Sequence, residues 1–185
     1  MHMPRDSEAT KRRLLDAAAD EFAERGIAGA RVDRIAAAAG ANKALIYSYF
    51  GNKEDLFDTV FHHLVVETVH DVPIDVDDLP AYAGRLFDRN LSHPRALRLA
   101  VWRSLERGDA LPDAVVAANR DKVAAIAAAQ RDGRVSDRFP AEELMVMITG
   151  LTVLGAPFLA MTDDLAGRRR SVVDAVRLLT EGDNT

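Results

Sequence analysis

Apolar side chains recur every three or four residues along most of the chain, which is the period of an amphipathic α-helix. Sustained alternation of the kind that forms strands is absent, so the pattern predicts an all-α fold. Glycine, proline and capping residues divide the pattern into about nine helices. The predicted helices have approximate bounds of 7–25, 32–39, 43–50, 52–65, 80–91, 94–107, 112–131, 140–161 and 164–181.

Residues 31–50 read as a helix, a short turn that contains Gly40, and a second helix. This is the spacing of a helix-turn-helix, whose second helix buries one face and carries the other into the major groove of DNA. Ile46 and Phe50, four residues apart, are predicted to form the buried face. The exposed face is predicted to carry Lys43, Ala44, Tyr47 and Ser48.

The distribution of charge along the chain supports a helix-turn-helix that binds DNA better than the net charge does. The net charge is −5, which by itself argues against binding a polyanion. Residues 1–53, however, hold nine Lys and Arg against seven Asp and Glu, a balance of +2, whereas the remainder holds 15 against 22. The N-terminal part of the chain is therefore where DNA is expected to bind.

The N-terminal part resembles the TetR family of bacterial transcriptional repressors. The resemblance covers about 50 residues, with the family's motifs in the correct order and spacing. It is carried by Leu14-Leu15-Asp16-Ala17-Ala18, Phe22, Gly26, Val32-Asp33-Arg34-Ile35-Ala36, Ala39-Gly40, Ile46-Tyr47-Ser48-Tyr49-Phe50 and Gly51-Asn52-Lys53-Glu54-Asp55-Leu56.

The resemblance implies a role for particular side chains at the DNA interface. By the family's motif, Lys43, Ala44 and Leu45 lie close to the bases. Tyr47, Tyr49 and Lys53 match positions that contact phosphate. Two positions depart from the common pattern. Many members have a threonine at the start of the second helix, whereas this chain has Ala30-Arg31 there, and Arg31 is expected to supply a charged phosphate contact instead. Asn42 replaces a serine or threonine but still suits the N-cap of the third helix, which is the recognition helix.

The resemblance also implies the overall organisation and activity. We expect a DNA-binding domain over residues 1–53 with three helices, and a C-terminal helical bundle over 54–185 for ligand binding and dimerisation. The expected function is that of a transcriptional repressor: a homodimer binds a near-palindromic operator in double-stranded DNA and is released by a small molecule. The alternative is a helical ligand-binding or interaction module without DNA affinity.

The last two predicted helices carry broad apolar stripes that favour a dimer interface of four helices, around 144–158 and 165–179. Gly155 and Pro157 interrupt the first of these helices and predict a bend that opens space inside the bundle. The walls of that space are expected to be mostly apolar with a few hydroxyl groups, which suits a hydrophobic effector. The candidate ligand-binding residues are Phe87, Trp102, Leu105, Met145, Thr149 and Thr152.

Other classes of function have little support. Cysteine is absent, no apolar run approaches a membrane span, and the first residues lack the apolar stretch of a signal peptide, so we expect a cytoplasmic protein that does not contact membranes. Asp58 and His62 have the spacing of a metal-binding pair, yet surface helices often carry such residues. No nucleophile with a neighbouring histidine and no phosphate loop is evident, so neither catalysis nor a cofactor is expected.

Overall fold

A computed structural model of the chain describes residues 4–108, 113–153 and 163–182. Within these residues the chain forms nine α-helices and no strands, which confirms the predicted fold class. The helices are α1 (Pro4–Gly29), α2 (Val32–Ala38), α3 (Lys43–Phe50), α4 (Lys53–Asp71), α5 (Leu79–Ser92), α6 (Pro94–Arg107), α7 (Asp113–Arg131), α8 (Ala141–Thr152) and α9 (Leu165–Thr180).

The ends of the helices follow local capping chemistry. The Asn52 side chain accepts a hydrogen bond from the backbone N–H of Asp55 at 2.9 Å, and Asp78 and Asp164 cap α5 and α9 in the same way. The first helix differs from the prediction because it begins at Pro4 and continues past Gly26 to Gly29. Gly26 is not helical, however, since its φ of 71° and ψ of −180° produce a kink where the helix was predicted to end.

The chain divides into two compact units, one mainly N-terminal and one mainly C-terminal. The N-terminal unit comprises Met1–Val66 and Arg95–Pro112. Its buried centre contains an edge-to-face pair of Phe22 and Phe57, with ring centroids 5.2 Å apart. Leu99 of α6 is also fully buried. This unit therefore extends beyond the predicted division at residue 53, because it includes most of α4 and nearly all of α6.

The C-terminal unit comprises Glu67–Pro94 and Asp113–Thr185. Its core is one apolar cluster contributed by α5, α7, α8 and α9 and by the connector between α4 and α5. Side chains of this kind stabilise a fold by leaving water, at roughly 25 cal/mol per Å² of buried apolar surface. The fully or almost fully buried members include Leu79, Tyr82, Phe87, Ile126, Leu144, Ile148, Val172 and Val176.

The apolar stripes of α8 and α9 turn out to belong mainly to this core. Leu144 and Ile148 of α8 are completely buried within the unit, as are Val172 and Val176 of α9. These four side chains therefore pack within their own unit, against one another's helices and α5, and the dimer interface predicted on the last two helices stays a prediction for their other positions. The part of the stripe beyond Val153, including Gly155, Pro157 and Phe158, lies outside the described residues.

Candidate nucleic-acid interface

The recognition helix α3 is oriented as its sequence predicts. Ile46 is completely buried and Phe50 almost so, and the neighbouring helix α2 buries Val32, Ile35 and Ala36. The opposite face is exposed to solvent and carries the four residues predicted for it. These are Lys43, Ala44, Tyr47 and Ser48.

The N-terminus of α3 is fixed by Asn42. Its side-chain oxygen accepts a hydrogen bond from the backbone N–H of Ala44 at 2.8 Å, which confirms that this residue is the N-cap. A cap satisfies a backbone donor that the helix leaves unpaired, and replacing it by alanine typically costs about 1 kcal/mol. Asn42 therefore sets where the recognition helix begins and which residues occupy its first turn.

Lys43 is the first residue of α3, and its ammonium group pairs with Asp33 of α2. Lys43 Nζ lies 2.8 Å from Asp33 Oδ1, and both side chains are exposed. The hydrogen bond that Lys43 donates to Asp33 raises the pKa of Lys43 above its usual value. The predicted base-proximal lysine is thus fully charged at neutral pH and engaged with a carboxylate in the absence of DNA.

The two tyrosines of α3 occupy different environments. The Tyr47 side chain is 48% exposed beside Lys43, so its hydroxyl is accessible to a large ligand. Tyr49 is half-buried, packs edge-to-face with Phe50 at 6.0 Å, and its hydroxyl lies 3.2 Å from Ser7 Oγ on α1. The two tyrosines predicted to contact phosphate therefore differ: Tyr47 is exposed, whereas the hydroxyl of Tyr49 already has a hydrogen-bond partner.

The first helix holds the N-terminus of α2 through Glu21. This carboxylate accepts hydrogen bonds from the backbone N–H of Arg31 at 2.9 Å and from Arg34 Nε at 2.8 Å. Burial alone would raise the pKa of Glu21, but these hydrogen bonds outweigh it and the pKa lies below its usual value. Arg31 is thereby fixed by its backbone at the N-cap of α2, while its side chain is exposed.

The side chain of Lys53 contacts the turn that joins α1 to α2. Its ammonium group donates to the carbonyl oxygens of Ala28 and Ala30, each at 3.4 Å. An ammonium group has three donors, so these two acceptors leave the capacity for a third, such as a phosphate oxygen. Lys53 thus links the first turn of α4 to the segment that precedes the helix-turn-helix.

The same turn is also held by α6. Glu106 Oε2 accepts a hydrogen bond from the backbone N–H of Ala28 at 2.7 Å, and Trp102 Nε1 donates to the carbonyl of Ala23 at 3.4 Å. A Cβ added at Gly26 would lie 2.8 Å from Trp102 Cε3 and would also collide with Glu106. Glycine is therefore required at position 26 both for its positive φ and for this close approach.

The predicted ligand-binding residues fall into two groups. Trp102 and Leu105 belong to the N-terminal unit, where Trp102 packs on α1 and Leu105 is 72% exposed. The other four belong to the C-terminal unit: Phe87 and Met145 lie in its apolar core, Thr149 is exposed, and Thr152 is buried. Whether any of them binds a small molecule stays a prediction.

Two further features bear on the classes of function considered above. Among the described residues, no group of three or more His, Asp or Glu side chains is arranged to hold a metal ion. Asp58, the acid of the pair considered for metal binding, instead lies 2.9 Å from both Arg103 and Arg107 of α6. In the same described part of the chain, every helix is too short or too polar to span a bilayer.

Glu21, Asp33, Trp102 and Glu106 were not predicted to shape this interface. Each of them contacts a different element of the fold, such as Glu106 with Ala28, and helical periodicity identifies a face without identifying what it contacts. The one local signal was Gly26, whose position before a second helix marks a turn.

Known proteins resemble this chain over nearly its whole length. Residues 14–60 match the family model described as bacterial regulatory proteins of the tetR family, and residues 78–177 match that of the tetracyclin repressor-like C-terminal domain. The HTH-type transcriptional repressor SCO4008 of Streptomyces coelicolor is 44% identical over 150 residues, which are 80% of this chain and 78% of that protein.

Two further relatives agree. The HTH-type transcriptional repressor NicS of Pseudomonas putida is 29% identical over 110 residues, or 55% of this chain and 51% of that protein. The crystal structure of the putative transcriptional regulator SCO4942 from Streptomyces coelicolor superposes with a TM-score of 0.83 at 32% identity, covering 92% of this chain and 98% of that one. With both halves matched and a helix-turn-helix of the expected geometry, the chain belongs to the TetR family of bacterial transcriptional regulators.

Proposed function

We propose that this regulator binds duplex DNA through the exposed face of α3 and represses transcription by occupying its operator. The observation that carries the proposal is the orientation of α3, whose apolar residues Ile46 and Phe50 are buried while Lys43 and Tyr47 are exposed. A helix supported in this way can enter the major groove without losing its packing.

The side chains on and around this face have different proposed roles. Tyr47, Lys53 and Arg31 contact phosphate oxygens, which fixes the position of the protein on the duplex but carries no sequence information. Lys43 lies at the start of the recognition helix and donates to base edges, with guanine O6 and N7 as its best acceptors. Ala44 and Leu45 are small or apolar and allow the backbone of α3 to approach the bases. Replacing Lys43 should therefore change the preferred sequence more than the overall affinity.

We propose that the protein acts as a homodimer through the outer faces of α8 and α9. Val146 on α8 is 66% exposed and Leu178 on α9 is 70% exposed, so each helix presents a large apolar side chain outside the core. Gly150, one turn beyond Val146, has open space around it and permits close approach of another helix. Light scattering should give twice the 20.2 kDa mass of the chain, and Val146→Asp with Leu178→Asp should shift it towards a monomer.

The proposed effector is a small, largely hydrophobic molecule that binds the C-terminal unit. Phe87 and Met145 supply apolar surface there, and Thr152 supplies a hydroxyl that accepts a hydrogen bond from Asn90 at 3.2 Å. An effector must bind the DNA-free state more tightly than the DNA-bound state. A true effector should raise the melting temperature and weaken DNA binding, whereas a compound that raises the melting temperature alone is not one.

The experiment that tests the function is selection of duplexes from a random pool by the purified protein. A dimer of two recognition helices should enrich a near-palindrome with half-sites about one helical turn apart. Failure to enrich any sequence would instead favour a helical ligand-binding module without DNA affinity. Binding to DNA would also place the protein in the bacterial cytoplasm, as a regulator for which we propose neither a cofactor nor a catalytic role.

A further inference from the structure

The exposed ion pair between Asp33 and Lys43 puts a negative charge on a surface that is proposed to face DNA. The carboxylate is 72% exposed and the lysine side chain 45% exposed, with a separation of 2.8 Å between Oδ1 and Nζ. Glu21, which links α1 to Arg34 and to the backbone of Arg31, is by contrast only 10% exposed and holds the fold together. Because Asp33 is exposed, a structural role in the buried core does not explain its presence on this surface.

The helix ends explain why the pair forms. Lys43 occupies the first position of α3, where the partial positive charge of the helix N-terminus disfavours a cation. Asp33 lies in the first turn of α2, where an anion is favoured. The carboxylate thus stabilises the lysine in an otherwise unfavourable place and restrains a side chain that would sample many rotamers.

The pair changes what Lys43 contributes to DNA binding. In a helix-turn-helix the first helix crosses the DNA backbone while the second enters the groove. If Lys43 keeps its ion pair with Asp33 on DNA, the pair as a whole has no net charge to attract phosphate. If Lys43 leaves Asp33 to bind phosphate, the unpaired carboxylate of Asp33 then faces the negatively charged DNA. Either way, Lys43 gains little from a phosphate contact.

We infer that Asp33 is a specificity-determining residue of the DNA interface that acts as a positioning residue for Lys43. It lowers affinity for DNA of arbitrary sequence, because it cancels the lysine charge that any phosphate would attract. It lowers affinity for the operator less, because there a base edge supplies Lys43 with hydrogen-bond acceptors at a fixed position. This inference rests on the proposed DNA-binding function.

The test compares Asp33→Asn with the parent on two duplexes, one enriched by selection and one of the same composition with its sequence scrambled. Asparagine keeps the shape of the side chain but removes its charge. We expect affinity for the scrambled duplex to rise by about three- to tenfold, and the slope of log K against log salt to steepen by about 0.9 for each phosphate gained. Affinity for the selected duplex should rise less, so discrimination falls.

Two control variants separate this role from a general charge effect. Asp16→Asn removes the same charge from an exposed position of α1. At about 150 mM salt, interactions between exposed charges more than about 8 Å apart are largely screened, so this variant should change DNA affinity and salt slope much less than Asp33→Asn does. In a Lys43→Ala background, Asp33→Asn should lose most of its effect, because the residue acts through Lys43. Melting temperatures verify that each variant folds.

Three outcomes would overturn the inference. The first is an Asp33→Asn variant that binds the scrambled duplex like the parent with the same salt slope. The second is an equal gain with or without Lys43, which would mean that Asp33 repels DNA directly. The third is a parent protein that binds neither duplex, and this result alone also overturns the proposed function.

Discussion

Both units of this regulator have an apolar core, but they differ in the interactions that surround it. In the N-terminal unit, Lys53 and Arg34 donate directional hydrogen bonds to the turn before the helix-turn-helix, and Glu106 accepts one from it. In the C-terminal unit, four helices share one apolar cluster with few polar groups inside it. Hydrogen bonds fix angles and distances, whereas apolar burial is non-directional. The difference teaches that the turn before the recognition helix is held in one geometry by directional bonds in addition to the apolar core.

The comparison predicts that apolar truncation is the most damaging change in the C-terminal unit. Leu144→Ala should lower the free energy of unfolding by about 2–5 kcal/mol, because Leu144 is completely buried and the cavity it leaves cannot fully close. Asn90→Ala, which removes a hydrogen bond to Thr152, should cost only about 0.5–1.5 kcal/mol. Urea unfolding followed by circular dichroism measures both, and equal losses would break the comparison.

In the N-terminal unit, the comparison predicts sensitivity to backbone geometry at Gly26. Gly26→Ala should cost about 1–3 kcal/mol, because an L side chain disfavours a φ of 71° and its Cβ would collide with Trp102. Gly29→Ala is the matched control, since its φ is not positive and its nearest contact would be an ordinary 3.5 Å to Arg25. Similar stability of the two variants would show that the kink does not constrain this unit.

The sequence could predict local features of the structure but not contacts between distant segments of the chain. Ile46 and Phe50 were predicted correctly because a four-residue spacing defines the buried face of a short helix, and Asn42 because capping is local. The location of Trp102 against α1 was not predicted, because its partner Ala23 is 79 residues away and periodicity does not select between neighbours. For the same reason the sequence could not separate the core positions of the α8 and α9 stripes from those of the predicted dimer interface, since an apolar stripe packs equally well against its own chain.

The smallest expected effect concerns Tyr82, a large side chain with a polar group that is fully buried in the C-terminal core. Burial raises the pKa of Tyr82 to about 12, and among the described residues its hydroxyl has no hydrogen-bond partner. The neutral form is therefore favoured in the folded state, so its contribution is complete below about pH 10 and is lost as the pH rises through about 12. The loss should reach about 1 kcal/mol by pH 11.

Tyr82→Phe isolates this contribution. The variant should match the parent at neutral pH, because the hydroxyl makes no hydrogen bond to a described residue, and should lose less stability between pH 9 and pH 11 in the same urea titrations. A variant that is much less stable at neutral pH would indicate that the hydroxyl does have a partner. Identical pH profiles would mean that Tyr82 ionises without cost.

The central claim, that the exposed face of α3 with Lys53 binds DNA, is tested most directly by a fluorescence titration of a selected duplex at about 150 mM salt. The Tyr47→Ala, Lys53→Ala double variant should bind about tenfold or more weakly than the parent, since it lacks both of the proposed phosphate contacts. Arg120→Ala, which removes one positive charge from an exposed position in the C-terminal unit, should bind like the parent. A double variant that binds as tightly as the parent would contradict the account.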